Sequence, residues 1–203
     1  MEDKFNSTRN LVLKDEKLLD LWGHKNPKFE KKYEVSVIRV MSQFHTAANN
    51  QTESKGKVFG NGYEPYIIAF FIGLYENKRL PLSDDTDDLK DLGWPIENWG
   101  NVERRGLRKP YPDLRKYMFL ALVAKTDIDW IAVDKGDIEV KSAVAALINT
   151  MEEYANYGFS VMEEKLQSDR NYFYSNRAFL DIFLQLTKTE DEVNDEENTP
   201  DEL

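Results

Sequence analysis

Apolar residues fall along this chain in blocks of helical period, separated by polar, glycine-rich and proline-rich stretches. The longest block, residues 66–75 (YIIAFFIGLY), runs ten residues without a charge. It exceeds ordinary strand length, and its Ala69 and Gly73 stand four apart, so they share one helical face. We read 64–77 as a buried helix whose small residues let another backbone come close. A mid-helix glycine costs about 1 kcal/mol relative to alanine, and tight packing is the expected compensation. Gly60-Asn61-Gly62 precedes it as turn chemistry, and Asn77-Lys78-Arg79-Leu80-Pro81 ends it.

The other blocks follow the same logic. Residues 15–22 (DEKLLDLW) predict a short helix with acids in its first turn and Gly23 at its exit. Phe29, Tyr33, Val37, Val40, Met41 and Phe44 recur at helical steps and predict a helix over 28–46. Residues 83–88 are acidic and offer a helix start, with Leu89 and Leu92 as anchors. Trp94-Pro95 and Trp99-Gly100 mark turns. Pro112-Asp113 opens a helix carrying Leu114, Tyr117, Met118, Ala121 and Leu122. Residues 127–133 fit either a strand or a helix. Asp137 is read as the N-cap of a long helix with the stripe Val140, Val144, Leu147, Ile148, Met151, Tyr154, broken or kinked at Gly158. Ser175 caps a last helix with Phe179, Ile182, Phe183 and Leu186. The expected fold is mainly α: a single compact helical domain over 12–188, a flexible lead over 1–11, and a minor β element near 57–60 and 128–141.

Composition changes this picture in three places. The formal charge is −10, but residues 189–203 (TEDEVNDEENTPDEL) hold eight acids and no base, leaving 29 acids against 27 bases in the body. The acidity belongs to a tail of disordered composition, and the body's charge does not exclude nucleic acid. The absence of cysteine rules out disulfides, thiolate metal sites and cysteine nucleophiles. With His24 and His45 as the sole histidines, a histidine-rich metal centre is excluded and any Ser-His-Asp triad would use one of the two. Ten apolar residues are about half of the roughly 20 that cross a bilayer. No membrane span is expected, and the charged N-terminus MEDKFNSTRN, without a signal peptide's apolar core, predicts a cytoplasmic protein.

Two stretches carry candidate chemistry. Residues 103–116 (ERRGLRKPYPDLRK) gather Arg104, Arg105, Arg108, Lys109, Arg115 and Lys116 around a tyrosine, glycine and prolines, which suits an exposed segment contacting phosphates. Their bland alternative is a solvated loop pairing with the acids at 84–91. Asp127/Asp129 or Asp134 followed by Glu139-Val140-Lys141 fits the PD-(D/E)xK arrangement, in which two carboxylates hold Mg²⁺ and the lysine orients the attacking water, with Asp127 or Asp134 as the first acid. That reading needs strands near 130–133 and 138–141, and Val140 also belongs to a helical stripe, which favours a helix start with solvated charges. No Gly-rich phosphate loop, GxSxG or HExxH is present.

Lys57-Val58-Phe59, then Ala69, Gly73 and Lys78-Arg79-Leu80-Pro81-Leu82, with Glu153-Tyr154-Ala155-Asn156-Tyr157-Gly158-Phe159 later on, resemble a pattern in small proteins associated with bacterial Dnd (DNA phosphorothioation) defence loci. The resemblance covers about 35 residues and leaves out the insert 84–112. It implies an accessory protein of an anti-phage or DNA-modification system, with a protein partner in a defence complex, and supplies no catalytic residues. The expected function is therefore a non-enzymatic adaptor binding a partner protein, and DNA through Arg104–Lys116, with no cofactor. Alternatives are the Mg²⁺-dependent nuclease and a regulatory or structural protein unrelated to DNA.

Overall fold

The computed structural model describes residues 18–43, 57–100 and 112–184. The fold is mainly α, and among the described residues its β structure is one two-stranded sheet plus an isolated bridge. The lead 1–11, His45, the residues Arg104 to Lys109 and the tail 189–203 lie outside the described residues. The chain divides into two compact units, Met1–Phe29 with Leu82–Glu153, and Glu30–Pro81 with Tyr154–Leu203.

In the first unit, residues 18–23 form helix α1. Strand β1 (Lys28–Glu30), whose first two residues belong here, pairs with β2 (Leu89–Asp91). Bonds from Leu92 N–H to the Pro27 carbonyl (3.0 Å) and from Ile96 N–H to that of Lys25 (3.1 Å) extend the pairing. The helix expected over 28–46 thus begins with a strand. Residues 32–41 are helical and form α2 in the second unit, with a π-helical stretch at Glu34–Ile38. The acids before β2 make only a 3₁₀ turn, Thr86–Asp88.

Helix α3 (Tyr63–Glu76) of the second unit matches the buried helix read from its apolar run. Asn77 closes it in the left-handed region (φ 52°), with Lys78 N–H bonded to the Gly73 carbonyl at 3.0 Å. Helix α4 (Pro112–Lys125) buries Met118, Phe119 and Leu122 in the first unit. Asp129 then caps α5 (Trp130–Lys135), accepting from Ile131 and Ala132 N–H at 3.0 Å each. The expected strand over 128–141 is therefore mostly helix. Asp137 does not cap the long helix: its N–H returns to the Ala132 carbonyl (2.9 Å) after Gly136 at φ 87°. Near 57–60, Phe59 makes a single bridge with Ser42.

Helix α6 (Val140–Ser168) gives Val140–Glu153 to the first unit and Tyr154–Ser168 to the second. It continues through Gly158 instead of breaking there. The second unit shows why a glycine is tolerated: a Cβ on Gly158 would overlap the Ala69 carbonyl, and one on Gly73 would overlap the carbonyl of Tyr154. The two helices meet backbone to backbone at the small residues of each, as the spacing of Ala69 and Gly73 predicts. Around that contact the rings of Tyr33 and Tyr66 pack on Phe159 at 5.3 and 5.6 Å, and Phe70 packs on Tyr154 at 6.3 Å. Residues 178–184 form α7, preceded by Ser175, whose Oγ accepts from Arg177 N–H at 3.3 Å.

Candidate functional site

Two of the predicted basic residues, Arg115 and Lys116, sit in the first turns of α4, where Pro112 and Asp113 start the helix. Arg115 lies on the helix side that carries Met118, Phe119 and Leu122. Its Nη1 donates to the Glu97 carbonyl at 2.6 Å. That bond draws α4 to the turn Ile96–Asn98, and with α1 the three segments enclose a cleft of about 140 Å³ lined by Leu19, Asp20, Trp22, Gly23, Glu97, Arg115 and Lys116. At its edge His24 Nε2 lies 3.0 Å from a Glu97 carboxylate oxygen. Lys116 points to solvent, with Asp113 3.5 Å away.

Two of the residues that border the cleft carry buried donors without acceptors. Trp22 is 0 % exposed and packs its ring on Phe119 at 5.7 Å, yet its indole N–H has no hydrogen-bond partner, and neither has Nε of Arg115. A buried donor without an acceptor costs about 1–3 kcal/mol, and both of these atoms lie beneath the surface of the cleft, out of reach of solvent. Buried N–H groups are otherwise almost always paired.

Helix α4 is apolar on two sides. Opposite Met118, Phe119 and Leu122, the residues Tyr117, Leu120 and Ala124 share a face at steps of three and four. Tyr117 is 64 % exposed and Leu120 61 %, although the spacing of Tyr117 groups it with the core positions.

One carboxyl of the first unit has unusual acidity. Glu152 accepts from Lys28 N–H at 2.7 Å. Burial pushes its carboxyl up to about 7; the Lys28 bond opposes the shift, and the charges of Asp91 and Glu153 add to it. It holds the entry to β1 and titrates near neutrality.

In the second unit, the residues at and after the end of α3 meet the stretch Tyr154–Gly158 of α6. The buried Asn156 carboxamide donates to the carbonyls of Leu80 (3.2 Å) and Pro81 (3.0 Å) and to Glu30 (3.0 Å). The Tyr157 hydroxyl bonds Glu76 and, at 3.3 Å, Lys78, and Arg79 lies 5.2 Å from the Tyr154 ring centroid. Burial and the Glu76 bond raise the pKa of Tyr157. These polar contacts fasten the exit of α3 to α6, beside the Gly73 and Gly158 contacts.

The alternative catalytic set is placed differently from its motif. Asp127 lies in the α4–α5 connection, Asp134 within α5, Glu139 just before α6 and Lys141 in its first turn, all four exposed. The strands that would bring two carboxylates and a lysine to one metal are absent from 128–141. Among the described residues no three histidine, aspartate or glutamate side chains form a group that could hold a metal ion, and no helix is long and apolar enough to cross a membrane.

Sequence reading missed Trp22, Asp20 and Glu97 as cleft residues, because the cleft joins segments far apart in the chain. Glu152 had a visible signal: it follows Met151 at the edge of the stripe Val144, Leu147, Met151, where a carboxylate is half withdrawn from water. No protein-family model, no curated protein and no solved structure matches the chain.

Proposed function

We propose that the chain is a cytoplasmic, non-enzymatic accessory or adaptor subunit that binds a partner protein, with DNA as a second ligand of its basic stretch. The outward apolar face of α4 carries this reading. A helix with one apolar stripe in the core and a second in water offers Tyr117, Leu120 and Ala124 as anchors at the spacing with which helices fill a partner's groove. Lys116 borders that face, so a groove rimmed by acids is the complementary shape and charge. The setting we propose, a bacterial anti-phage or DNA-modification complex, rests on the resemblance of residues 57–82 and 153–159 to Dnd-associated proteins. Those residues build the α3–α6 packing, which leaves recognition to other surfaces.

Both α4 positions face solvent, so the double substitution Tyr117→Glu, Leu120→Glu should change stability by no more than about 0.5 kcal/mol per site. The variant chain, tagged and purified from its native host, is expected to melt like the wild type and to lose the partner that the wild type retains in fixed stoichiometry. Retention of that partner by the variant, or a wild-type chain that purifies alone, counts against the adaptor reading. For DNA, charge reversal at Arg104, Arg105 and Arg108 should abolish retention in a gel-shift assay at low salt; unchanged DNA and partner binding would remove the basic stretch from the proposal.

A further inference from the structure

We propose that Asn61 is a self-modification site, at which the asparagine loses ammonia through an internal succinimide and becomes aspartate or isoaspartate. It is the one asparagine of the chain that precedes a glycine. With no Cβ on Gly62, its backbone nitrogen is open to approach by the Asn61 side chain. The pair forms the turn before α3, where Gly62 has φ −68° and ψ −21° and Glu64 N–H bonds the Asn61 carbonyl at 3.2 Å. Among the described residues no acceptor holds the Gly62 N–H, so its nitrogen is not tied into the helix. The carboxamide is held loosely: Nδ2 donates to the Tyr63 hydroxyl at 3.3 Å and to Glu64 at 3.4 Å, both longer than a good N–H···O bond. Glu64 is itself fixed, since its other carboxylate oxygen accepts from Gly60 N–H at 3.0 Å. The reaction needs no reagent besides water. Gly62 N bonds to Asn61 Cγ and gives its proton to solvent, the Cγ–Nδ2 bond breaks, and Nδ2 leaves as ammonia with a proton from the Tyr63 hydroxyl, which water restores. Water then opens the ring at either of its carbonyls. Tyr63 donates to the leaving nitrogen and Glu64 orients it. The product places a second carboxylate beside Glu64, which is 8 % exposed, at the entry to α3. This inference is independent of the adaptor reading, because α4 belongs to the first unit and Asn61 to the second.

The test incubates the full-length folded chain in mildly alkaline buffer and follows Asn61 by peptide mass spectrometry, scoring a gain of one dalton and the split into aspartate and isoaspartate. Conversion at Asn61 ahead of every other asparagine is expected. Tyr63→Phe keeps the ring and removes the hydroxyl. It is expected to slow conversion in the folded chain by about tenfold and to leave the rate in urea unchanged, where the fold positions neither Tyr63 nor Glu64. The urea control thereby separates what the fold contributes from the lability that any Asn-Gly pair carries. A folded wild type that converts more than about tenfold more slowly than the same chain in urea overturns the inference. So does a folded variant that converts as fast as the wild type. If Tyr63→Phe fails to fold, the comparison of folded and urea-unfolded wild type decides alone.

Discussion

Replacing Gly158 by valine is expected to destabilise the protein by about 3 kcal/mol or more, and replacing it by alanine to destabilise it as well. The alanine result discriminates. Helix propensity alone makes Gly→Ala stabilising by about 1 kcal/mol in a helix interior. At Gly158 the new Cβ would overlap the Ala69 carbonyl, and a backbone carbonyl in a helix cannot rotate aside as a flexible side chain would. Relief requires α3 and α6 to separate, which opens the ring contacts around Phe159 that the close approach makes possible. Gly73→Ala, whose Cβ would meet the Tyr154 carbonyl, should behave in the same way. Urea unfolding of the two alanine variants measures the sign directly. A raised midpoint in both would mean that the helices do not pack through their glycines.

The second large effect concerns pH. The Glu152 carboxyl has its pKa raised from 4.5 to about 7 in the fold, so the folded state holds a proton that the unfolded chain releases. Its favourable contribution is complete below the unfolded pKa and is lost as pH rises through about 7. At 1.36 kcal/mol per unit the gap amounts to about 3 kcal/mol, and since the group still meets some solvent about 2 kcal/mol is the expected size. Glu152→Gln keeps an acceptor oxygen for Lys28 N–H and cannot ionise. The stability of the variant relative to the wild type should therefore rise by about 2 kcal/mol between pH 5 and pH 8. The difference between the two proteins cancels the other carboxylates. A flat difference would show that Glu152 ionises freely in the fold.

How far the sequence could be read depended on whether the deciding interaction was local. Helix α3 was legible almost to the residue because its apolar run, its turn residues and Asn77 all act within a few positions. So was its close approach by another backbone, though the partner at Gly158 was not: by local propensity a glycine there breaks a helix, whereas the neighbouring helix needs the space. Phe29 and Tyr33 stand four apart and look like one helix, yet Phe29 lies in β1, which forms only because Leu89–Asp91 is there to pair with it. Asp137 has the composition of an N-cap, but the left-handed Gly136 draws its N–H back to α5. For α4 the period was right and the face was not, since a stripe at helical spacing does not say whether it meets the core or the solvent; Tyr117 meets the solvent. In the candidate site only Arg115 and Lys116 were legible, as members of a basic run. Trp22 looks like one more apolar position of α1 in the sequence, and its unpaired N–H is a property of the assembled core.

The pairing of Gly73 with Tyr154 and of Ala69 with Gly158 also sets an order of events at the ribosome. The apolar helix α3 leaves the exit tunnel roughly eighty residues of synthesis before the stretch of α6 it packs against, an interval of about 4–16 s at ordinary elongation rates. Each unit is assembled from two separated segments of chain, so neither is complete until translation has entered α6. For that interval the nascent chain presents Phe70, Ile72 and their neighbours without their final cover, and exposed apolar surface of this kind is what chaperones bind during synthesis.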